Sequence, residues 1–270
     1  MKRRIFSISL ACVAVATLSS SCILEKRQAT DGENDATFTH KAIAVSDFSE
    51  IQASGAIDIV YTQSEAGSDS VILEGGASAV NAIVVEQKGD ALYFSQNSKN
   101  NGLGWVFGGN SVTFGKVDVR VSSRFLSKVG LSGANDLKVV GLLSTDGLYI
   151  ETSGASELSL DSVVVANKIG FEMSGAGKVN VGSVEAKAVD VETSGAARFD
   201  GKVKNAESVN VDMSGAGEVD LNLVDCGKVA CALSGAANID LSGNCKTLSQ
   251  STSGASHVDT DDLRVTGKDE

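Results

Sequence analysis

Residues 191–221 read VETSGAARFDGKVKNAESVNVDMSGAGEVDL, in which Ser-Gly-Ala occurs twice, 20 residues apart. The same triplet starts at eight positions in the chain, namely Ser54, Ser132, Ser153, Ser174, Ser194, Ser214, Ser234 and Ser253. From Ser132 onward the steps are 21, 21, 20, 20, 20 and 19 residues. A period of this length, held through seven copies, indicates a repeat architecture. The 78 residues from Ser54 to Ser132 are close to four periods, so we expect degenerate coils to fill them.

Apolar and polar residues alternate on both sides of each triplet. Before one triplet Val209, Val211 and Met213 alternate with polar residues, and after it Val219 and Leu221 do the same. A period of two is that of a strand with one buried face. Twenty residues are too few for a strand, a crossover helix and a second strand, but they can form one coil of a solenoid whose strands stack about 4.8 Å apart. We therefore expect an all-β, single-stranded parallel β-helix of about ten coils.

The triplet itself fits a corner between two strands. Gly tolerates both a bend and close approach of another backbone, and Ala keeps the corner small. We expect the Ser hydroxyls to hydrogen-bond to their copies above and below. A hydrolase would need one activated Ser with a base, whereas this chain has eight equivalent serines and two histidines, His40 and His257. The triplet therefore indicates architecture rather than catalysis.

The N-terminus has the features of an export signal. Residues 1–21 contain three basic residues followed by an apolar stretch, and SSSC at 19–22 resembles a bacterial lipobox with Cys22 as the acylated residue. Simple secretion is the alternative. We interpret residues 1–21 as a lipoprotein signal peptide, 22–45 as a flexible tether and 46–265 as one repetitive domain. This organisation predicts an exported protein anchored by lipid to the cell envelope, in the outer membrane of a Gram-negative bacterium.

Composition narrows the class of partner. The net charge is −11, and removal of residues 1–21 with their three basic residues leaves 20 basic against 34 acidic residues, or −14. Such a surface argues against nucleic acid as a partner. The chain has no proline, 29 glycines and 5% aromatic residues, which favours stacked strands over helices.

Stacked coils would turn single acidic residues into rows. The column six residues after each Ser begins with Lys138, Ser159 and Asn180 and continues, after the last four triplets, with Asp200, Asp220, Asp240 and Asp259. A second row, two residues before each Ser, contains Glu151, Glu172, Glu192 and Asp212. Like charges about 4.8 Å apart repel by roughly 1 to 3 kcal/mol per neighbour. Either the first row binds Ca²⁺ through its carboxylates, or it is solvated and screened by basic neighbours such as Lys178 and Arg198. No other cofactor is expected.

Two cysteines fall in one column of the repeat. Thr145, Ala166, Ala186, Ala206, Cys226 and Cys245 each lie eight residues before a triplet. On adjacent coils Cys226 and Cys245 would be about 5 Å apart, within the range of a disulfide. Two free stacked thiols are the alternative, and Cys231 would remain a buried free thiol in either case.

The segment SKNNGLGWVFGGNSVTFGK at 98–116 departs from the repeat and contains the one Trp of the chain. Trp105, Phe107 and Asn110 are candidates for contact with a sugar or a protein, because exposed aromatic residues are effective binding anchors. The alternative is that the aromatic residues pack over one end of the solenoid.

Three further stretches carry a family resemblance. They are FSEIQASGAIDIVYTQSEAGSDSVIL at 48–73, ALYFS at 91–95 and VDVRVSSRFLSKVGLSGANDL at 117–137. With the serial triplets, they resemble the head GIN domain family of auto-transporter adhesins, common among Bacteroidetes lipoproteins. The resemblance implies a right-handed parallel β-helix in an exported, often lipid-anchored protein. It implies no catalytic residues.

These observations predict a non-enzymatic envelope protein that acts as an adhesin or binding scaffold. Its expected partners are the membrane, through the lipid anchor, and a glycan or a host or cell-surface protein. Two alternatives stay open: a pectate-lyase-like enzyme acting on polysaccharide, and a purely structural envelope protein. The enzyme would need long loops that form a groove, for which coils of 20 residues leave little room.

Overall fold

The protein is described by a computed structural model that covers residues 38–67, 70–96 and 117–267. These residues form a β-solenoid of about seven turns with coils of about 20 residues. The N-terminal elements are β1 Phe38–Ala44, β2 Glu50–Gly55, β3 Asp58–Gln63, β4 Ser70–Gly76, α1 Ala77–Ala82, β5 Ile83–Lys88, β6 Ala91–Gln96, β7 Val117–Ser123 and β8 Lys128–Gly133. The remaining strands are β9 Asp136–Gly154, β10 Glu157–Gly175, β11 Lys178–Gly195, β12 Arg198–Lys204, β13 Ser208–Gly215, β14 Glu218–Gly235, β15 Asn238–Gly254, β16 His257–Asp259 and β17 Leu263–Val265. The predicted fold is confirmed, but the prediction of ten coils is wrong.

Each regular coil has three segments that stack on the equivalent segments of its neighbours. In β10, residues 157–160 follow a triplet, residues 162–165 come next, and residues 168–175 lead into the following triplet. We call the three resulting stacks the post-triplet, middle and pre-triplet faces. All pairs between regular coils are parallel. Each face is thus a continuous sheet that runs along the solenoid axis.

Glycine is required at the triplet corner for two separate reasons. Gly215 has φ +121°, a backbone conformation that side chains with a Cβ rarely adopt. A Cβ on Gly215 would also lie 2.4 Å from the carbonyl oxygen of Gly195 on the neighbouring coil. The same carbonyl accepts a hydrogen bond from the backbone N–H of Ala216 at 2.8 Å. The prediction that Gly serves both the bend and the close approach is confirmed.

The serine hydroxyls of the triplets bond differently from what was expected. The Ser174 hydroxyl donates to the backbone carbonyl of Thr152 at 3.4 Å, and the Ser253 hydroxyl donates to that of Leu233 at 3.4 Å. For these serines the prediction of bonds from hydroxyl to hydroxyl is wrong, because the main-chain carbonyl one residue before the neighbouring Ser is the acceptor within reach.

The inward side of each strand forms the core. Val209, Val211 and Met213 are at most 3% exposed, as the alternation predicts. The Phe171 and Phe199 rings meet edge to face with centroids 4.9 Å apart. Gly201 makes room for this pair, since a Cβ there would lie 3.0 Å from Cε1 of Phe199. A missing side chain on one residue thus accommodates a large one on another.

The long interval between the first two triplets is an insertion and not a run of degenerate coils. Ser54 pairs directly with Ser132, and Gly55 pairs with Gly133. A Cβ on Gly133 would lie 2.4 Å from the Gly55 carbonyl oxygen, as between regular coils. The chain therefore leaves the first coil after β3 and returns directly beside it at β8, so no degenerate coil lies between the first two triplets. The inserted strands β6 and β7 add one irregular layer on the other side of that coil, and the expectation that degenerate coils fill the whole interval is wrong.

The inserted segment covers the N-terminal end of the solenoid. β6 extends the pre-triplet face beyond β2, and β7 extends the post-triplet face beyond β3. Outside them lie the antiparallel strands β5, β4 and β1. These strands shield edges that would otherwise be open to another chain.

The tether ends earlier than the expected residue 45. β1 begins at Phe38 and pairs along its whole length with β4. Ile43 is 8% exposed, and the His40 ring lies 3.1 Å from a carboxylate oxygen of Glu74. Burial and strand pairing together explain why this stretch belongs to the folded domain.

No helix within the described ranges has both the length and the hydrophobicity that a membrane span requires.

Candidate functional site: the pre-triplet face

Several predicted site residues lie outside the described residues. These are Cys22, the predicted lipid attachment site, and the candidate ligand residues Trp105, Phe107 and Asn110. Both interpretations stay predictions. β6 ends before the segment that contains Trp105, and β7 begins after it.

The column of small residues brings the two cysteines into register. Cys226 pairs with Cys245 across adjacent coils, and both are 1% exposed. In the structure they are free thiols, as is Cys231. Burial raises the pKa of each thiol, and that of Cys231 reaches about 12. The disulfide stays a prediction.

One residue of that column is not the one expected. Val165, rather than Ala166, pairs with Thr145 and with Ala186. The register shifts between Val165 and Lys168 at a bulge, which a fixed count from the triplet cannot anticipate.

The predicted aspartate row exists on the post-triplet face. Its members Asp200, Asp220, Asp240 and Asp259 are paired in register. Arg198 reduces the repulsion at one end, with its guanidinium 2.9 Å from Asp200 and 2.5 Å from Glu218. Desolvation, followed by repulsion from Asp220 and Asp259, raises the pKa of Asp240.

No metal site follows from this row in the part of the chain that the structure describes. In that part, no group of three or more His, Cys, Asp or Glu residues is arranged to hold a metal ion. The calcium interpretation of the four aspartates stays a prediction.

The pre-triplet face carries a series of surface depressions. It runs through nine strands, from β6 over β2 and β8 to β15, or about 38 Å at the usual strand spacing. Four shallow depressions follow one another along it. The depression beside Tyr149 has a volume of about 400 Å³.

Tyr149 projects from the middle of this face and is 40% exposed. Its ring lies over Gly170 of the next coil, where a Cβ would be 3.3 Å from Cδ2 of the tyrosine. The Tyr149 hydroxyl donates a hydrogen bond to Glu172, and this bond, with a smaller effect of burial, raises the pKa of Tyr149 to about 12. The Lys128 ammonium lies 6.0 Å from the ring centroid. The missing side chain of Gly170 lets the ring lie against the sheet.

A second tyrosine lies on the same face near its N-terminal end. Tyr93 is 38% exposed, and the Lys88 ammonium lies 5.0 Å from its ring centroid. Gln52 pairs with Tyr93 on one side and with Gly130 on the other. Tyr93 and Tyr149 are three strands apart, about 14 Å along the axis.

Carboxylates occupy the surface between and beyond the tyrosines. The second predicted row is confirmed, because Glu151, Glu172, Glu192 and Asp212 are paired in register. Six carboxylates and two ammonium groups line the four depressions. Both ammonium groups have a local partner, since Lys168 forms an ion pair with Asp190 and the Lys88 ammonium lies 3.0 Å from a carboxylate oxygen of Glu86.

The hydrogen bonds around Asp190 fix its charge. Burial alone would raise the pKa of Asp190, but the hydrogen bonds from Lys168 and Asn210 outweigh it and lower the pKa. The same ion pair raises the pKa of Lys168. Both groups are therefore charged at neutral pH.

Neither tyrosine was among the predicted site residues. The exposed setting of Tyr149 could have been predicted from the sequence. Gly170 lies 21 residues later, at the equivalent position of the next coil, and leaves space for the tyrosine ring. Tyr93 could not be placed, because its position depends on the pairing of β6 with β2 inside the insertion.

Exposed rings and carboxylates define what this surface can do chemically. A tyrosine ring can stack on the apolar face of a sugar or attract a cation to its π face. Carboxylates accept hydrogen bonds from hydroxyl and ammonium groups. The arrangement is suited to binding an elongated partner.

Comparisons with known proteins agree with this fold. A crystal structure described as a putative adhesin from Bacteroides fragilis superposes with a TM-score of 0.72 and 21% identity, covering 83% of this chain and 97% of that one. A putative adhesin from Parabacteroides merdae gives a TM-score of 0.63 at 20% identity, with 83% and 96% coverage. A structure from Parabacteroides distasonis described as a putative lipid binding protein gives 0.61 at 16% identity, with 83% and 97% coverage. At these identities the likeness concerns the fold alone.

The family assignment rests on a direct match of the sequence. No curated protein matches the chain. The family model described as "Putative auto-transporter adhesin, head GIN domain" matches residues 47–223 and 187–267, which together span most of the solenoid. The chain therefore belongs to the head GIN domain family.

Proposed function

We propose that this protein is a non-enzymatic adhesin of the cell envelope, exported and held by lipid at Cys22, that binds an elongated partner on its pre-triplet face. The observation that carries the proposal is a sheet of nine strands on which Tyr93 and Tyr149 project into successive depressions. Exposed aromatic side chains of this kind are common binding anchors. The adhesin description of the family supports the same function.

The position of the tether favours this use of the solenoid. β1 follows the tether and lies at the N-terminal end of the stack, whereas the pre-triplet face runs along the axis. A chain anchored at Cys22 would thus hold the long face clear of the membrane. Residues 22–37 can span at most about 55 Å when fully extended, which is ample for this purpose.

The anchor is tested by labelling cells that express the full chain with radioactive palmitate. We expect the label on the wild-type protein and none on Cys22→Ser, which should appear in the soluble fraction. Label that persists on Cys22→Ser would contradict anchoring at this residue.

Binding is tested with the full mature chain carrying Cys22→Ser, on a panel of immobilised glycans and cell-surface proteins. We expect a bound partner whose signal falls in the double variant Tyr93→Ala, Tyr149→Ala. Leu142→Ala is the matched control, because Leu142 is 59% exposed on the middle face. A protein that binds nothing on the panel would refute the adhesin proposal.

The enzyme alternative has its own readout. Incubation of the same protein with polygalacturonate and Ca²⁺ should produce no unsaturated or reducing ends above the blank. Turnover in this assay would overturn the non-enzymatic proposal.

A further inference from the structure

The C-terminal end of the solenoid leaves strand edges and core side chains uncovered, and we propose that this end binds the same end of a second copy of the chain. The two copies are related by a two-fold axis through β16. Because each copy is anchored at its other end, the contact joins two opposing membranes. That last step rests on the anchor at Cys22 under the proposed function, whereas the contact itself does not.

The two ends of the solenoid differ in how their strand edges are covered. At the N-terminal end β5, β4 and β1 lie outside the first coil. At the other end, in the part of the chain that the structure describes, β16 and β17 each pair only with β15. No described strand pairs with the outer edge of β15 between residues 247 and 254. Open edges of this kind readily pair with a strand of another chain.

Core-facing side chains are also uncovered at this end. Val265 pairs with Cys245 and follows it in the same inward column, yet Val265 is 43% exposed and Cys245 is 1% exposed. Val258 and Leu263 pack against the core and are only partly buried, whereas Ile239, one coil below Val258, is 2% exposed. A further layer of strands would remove this apolar surface from water.

The end has the shape of a ramp, because the coil of a solenoid rises as it turns. The pre-triplet segment of β15 is the lowest part, β16 follows after the last triplet, and β17 on the middle face is the highest. A two-fold axis through β16 places β17 of one copy over the pre-triplet segment of β15 in the other. The two ramps then meet on all three faces, and every strand is antiparallel to its new neighbour.

The backbone of β16 sets the register of this contact. The His257 N–H donates a hydrogen bond to the carbonyl of Ala237 on the coil below at 3.0 Å. The N–H and C=O of the next residue, Val258, therefore point away from β15. On the two-fold axis, Val258 of each copy donates its N–H to the carbonyl of Val258 in the other. His257 then lies directly opposite Asp259 of the second copy.

The side chains of β16 are complementary in this register. His257 and Asp259 lie on the outward side of the strand, and the position that they share is the one in which cross-strand side chains come closest. Each His257 imidazole can donate a hydrogen bond to the Asp259 carboxylate of the other copy, and the axis forms this pair twice. Asp261 and Asp262 lie over residues 253–256 of the second copy, which carry no charge.

The contact places the two tethers at opposite ends of the pair. The post-triplet face has eleven strands from β1 to β16, which span about 48 Å. Two copies joined at β16 therefore hold their N-terminal strands about 100 Å apart, facing in opposite directions. A copy anchored on one membrane can thus reach a copy anchored on the facing membrane.

Sedimentation equilibrium of the full mature chain carrying Cys22→Ser tests the contact. Three short segments form a smaller interface than that of a stable dimer, so we expect a Kd of about 100 µM. Many copies on each membrane would add their contacts. His257→Asp, which faces Asp259 with a like charge, should weaken the dimer about tenfold.

A charge swap and a distant substitution are the matched controls. His257→Asp combined with Asp259→Lys restores opposite charges across the axis, and should return the Kd to within about threefold of the wild-type value. Leu142→Asp introduces an acid on the middle face, where Leu142 is 59% exposed, and should leave the Kd unchanged.

Cysteine variants test the register directly. On oxidation, a mixture of His257→Cys and Asp259→Cys should form a disulfide between the two different variants, identified by peptide mapping. Neither variant alone should cross-link to itself at these positions, because the axis sets residue 257 opposite residue 259. A cross-link of His257→Cys to itself would overturn the placement of the axis in β16.

Coated beads test the arrangement between opposing surfaces. Beads that carry the mature chain through its N-terminus should aggregate, and His257→Asp should reduce the aggregation. Beads that carry the chain through its C-terminus should stay dispersed, because the attachment blocks the contact. N-terminally coated beads that stay dispersed would overturn the bridging of opposing membranes.

The outcomes are distinct from those of the adhesin test. A chain that stays monomeric at about 1 mM, tenfold above the expected Kd, would overturn the contact. So would a dimer that His257→Asp does not weaken, or one that the charge swap does not restore. In each of these cases binding to the glycan and protein panel can persist, because it depends on the pre-triplet face. A chain that dimerises but binds nothing on the panel refutes the proposed pre-triplet binding and leaves the contact intact.

Discussion

Replacement of one corner glycine by alanine is the sharpest test of the stacking geometry. Gly215 lies in the middle of the regular coils, with φ +121° and an added Cβ 2.4 Å from the carbonyl oxygen of Gly195. The backbone conformation alone costs an alanine about 1 to 3 kcal/mol. Relief of the contact requires the coils to separate, which weakens the Ala216 to Gly195 hydrogen bond and costs about 1 kcal/mol more.

An opposing effect arises in the unfolded chain. Alanine restricts the unfolded state and so favours folding by about 0.4 to 1 kcal/mol. The net expectation for Gly215→Ala is a loss of about 1 to 3.5 kcal/mol in the free energy of unfolding, centred near 2 kcal/mol, which is a large fraction of the stability of a typical domain. Urea denaturation followed by far-ultraviolet circular dichroism measures it.

Substitutions at two other glycines separate the cost of the backbone conformation from the cost of the close contact between coils. Gly141 has φ +82° but nothing within 4 Å of its added Cβ, so Gly141→Ala should cost about 1 kcal/mol. At Gly147 the added Cβ meets the Lys168 carbonyl oxygen at 3.7 Å, an ordinary contact, and the φ is not in the left-handed region. Gly147→Ala should therefore be neutral or slightly stabilising.

The order of stability of the three variants tests the explanation of the corner. If Gly215→Ala is no less stable than Gly141→Ala, close approach of the backbones contributes nothing and the explanation of the corner is wrong. A broad or biphasic transition in Gly215→Ala would mean that the coils on either side of the break unfold separately, as expected for a linear repeat array.

Further predictions concern the core, the thiols and the aspartate row. Phe199→Ala should lower the free energy of unfolding by about 3 to 5 kcal/mol, because its buried ring contacts Phe171; a loss under 1 kcal/mol in urea denaturation would contradict the packing. Oxidative refolding should give a cross-link between Cys226 and Cys245, detected by non-reducing peptide mapping, and a cross-link to Cys231 instead would refute the pairing. Asp240 has a raised pKa, so its ionised form destabilises the fold at neutral pH, and this effect is lost as pH falls through the folded pKa toward the ordinary value of 3.8. Asp240→Asn should then stabilise by at most about 0.5 kcal/mol at pH 7, with no gain below pH 3.8; an equal gain at both pH values would exclude an electrostatic origin.

The regular coils could be read from sequence because their length barely varies. Coils of 19 to 21 residues place equivalent side chains side by side, so the pairing of Cys226 with Cys245 and of Asp220 with Asp240 follows from counting. Counting fails where a coil absorbs an extra residue, as at the bulge after Val165.

The insertion could not be read in the same way. Its 78 residues equal nearly four periods by coincidence. A period alone cannot distinguish additional stacked coils from an inserted segment after which the chain returns to pair with the coil it left. The antiparallel pairing of β4 with β1 and β7 joins segments far apart in sequence, without a repeated motif to indicate it.

The two tyrosines of the candidate site differ in the same way, because one lies in the regular coils and the other in the insertion. Tyr149 and Gly170 lie in regular coils, so their contact is within reach of the repeat pattern. Tyr93 enters the face only through the insertion. The alternating pattern also does not predict how core side chains fit together. Gly201 occupies a position where alternation predicts an apolar residue, and its role is clear only when the position of the Phe199 ring is known.

The direct pairing of Ser54 with Ser132 also bears on the order in which the chain folds. A regular coil closes a loop of about 20 residues, whereas the first coil must close one of 78, an extra entropic cost of about 1.2 kcal/mol. We therefore expect the C-terminal coils to form first and the N-terminal elements to dock last. Pulsed hydrogen exchange during refolding should protect the amides of β10 and β11 before those of β2; the reverse order would contradict this sequence of events. A long-lived open edge at β8 would follow, so that a newly made chain presents for a time a strand that its own N-terminal part later covers.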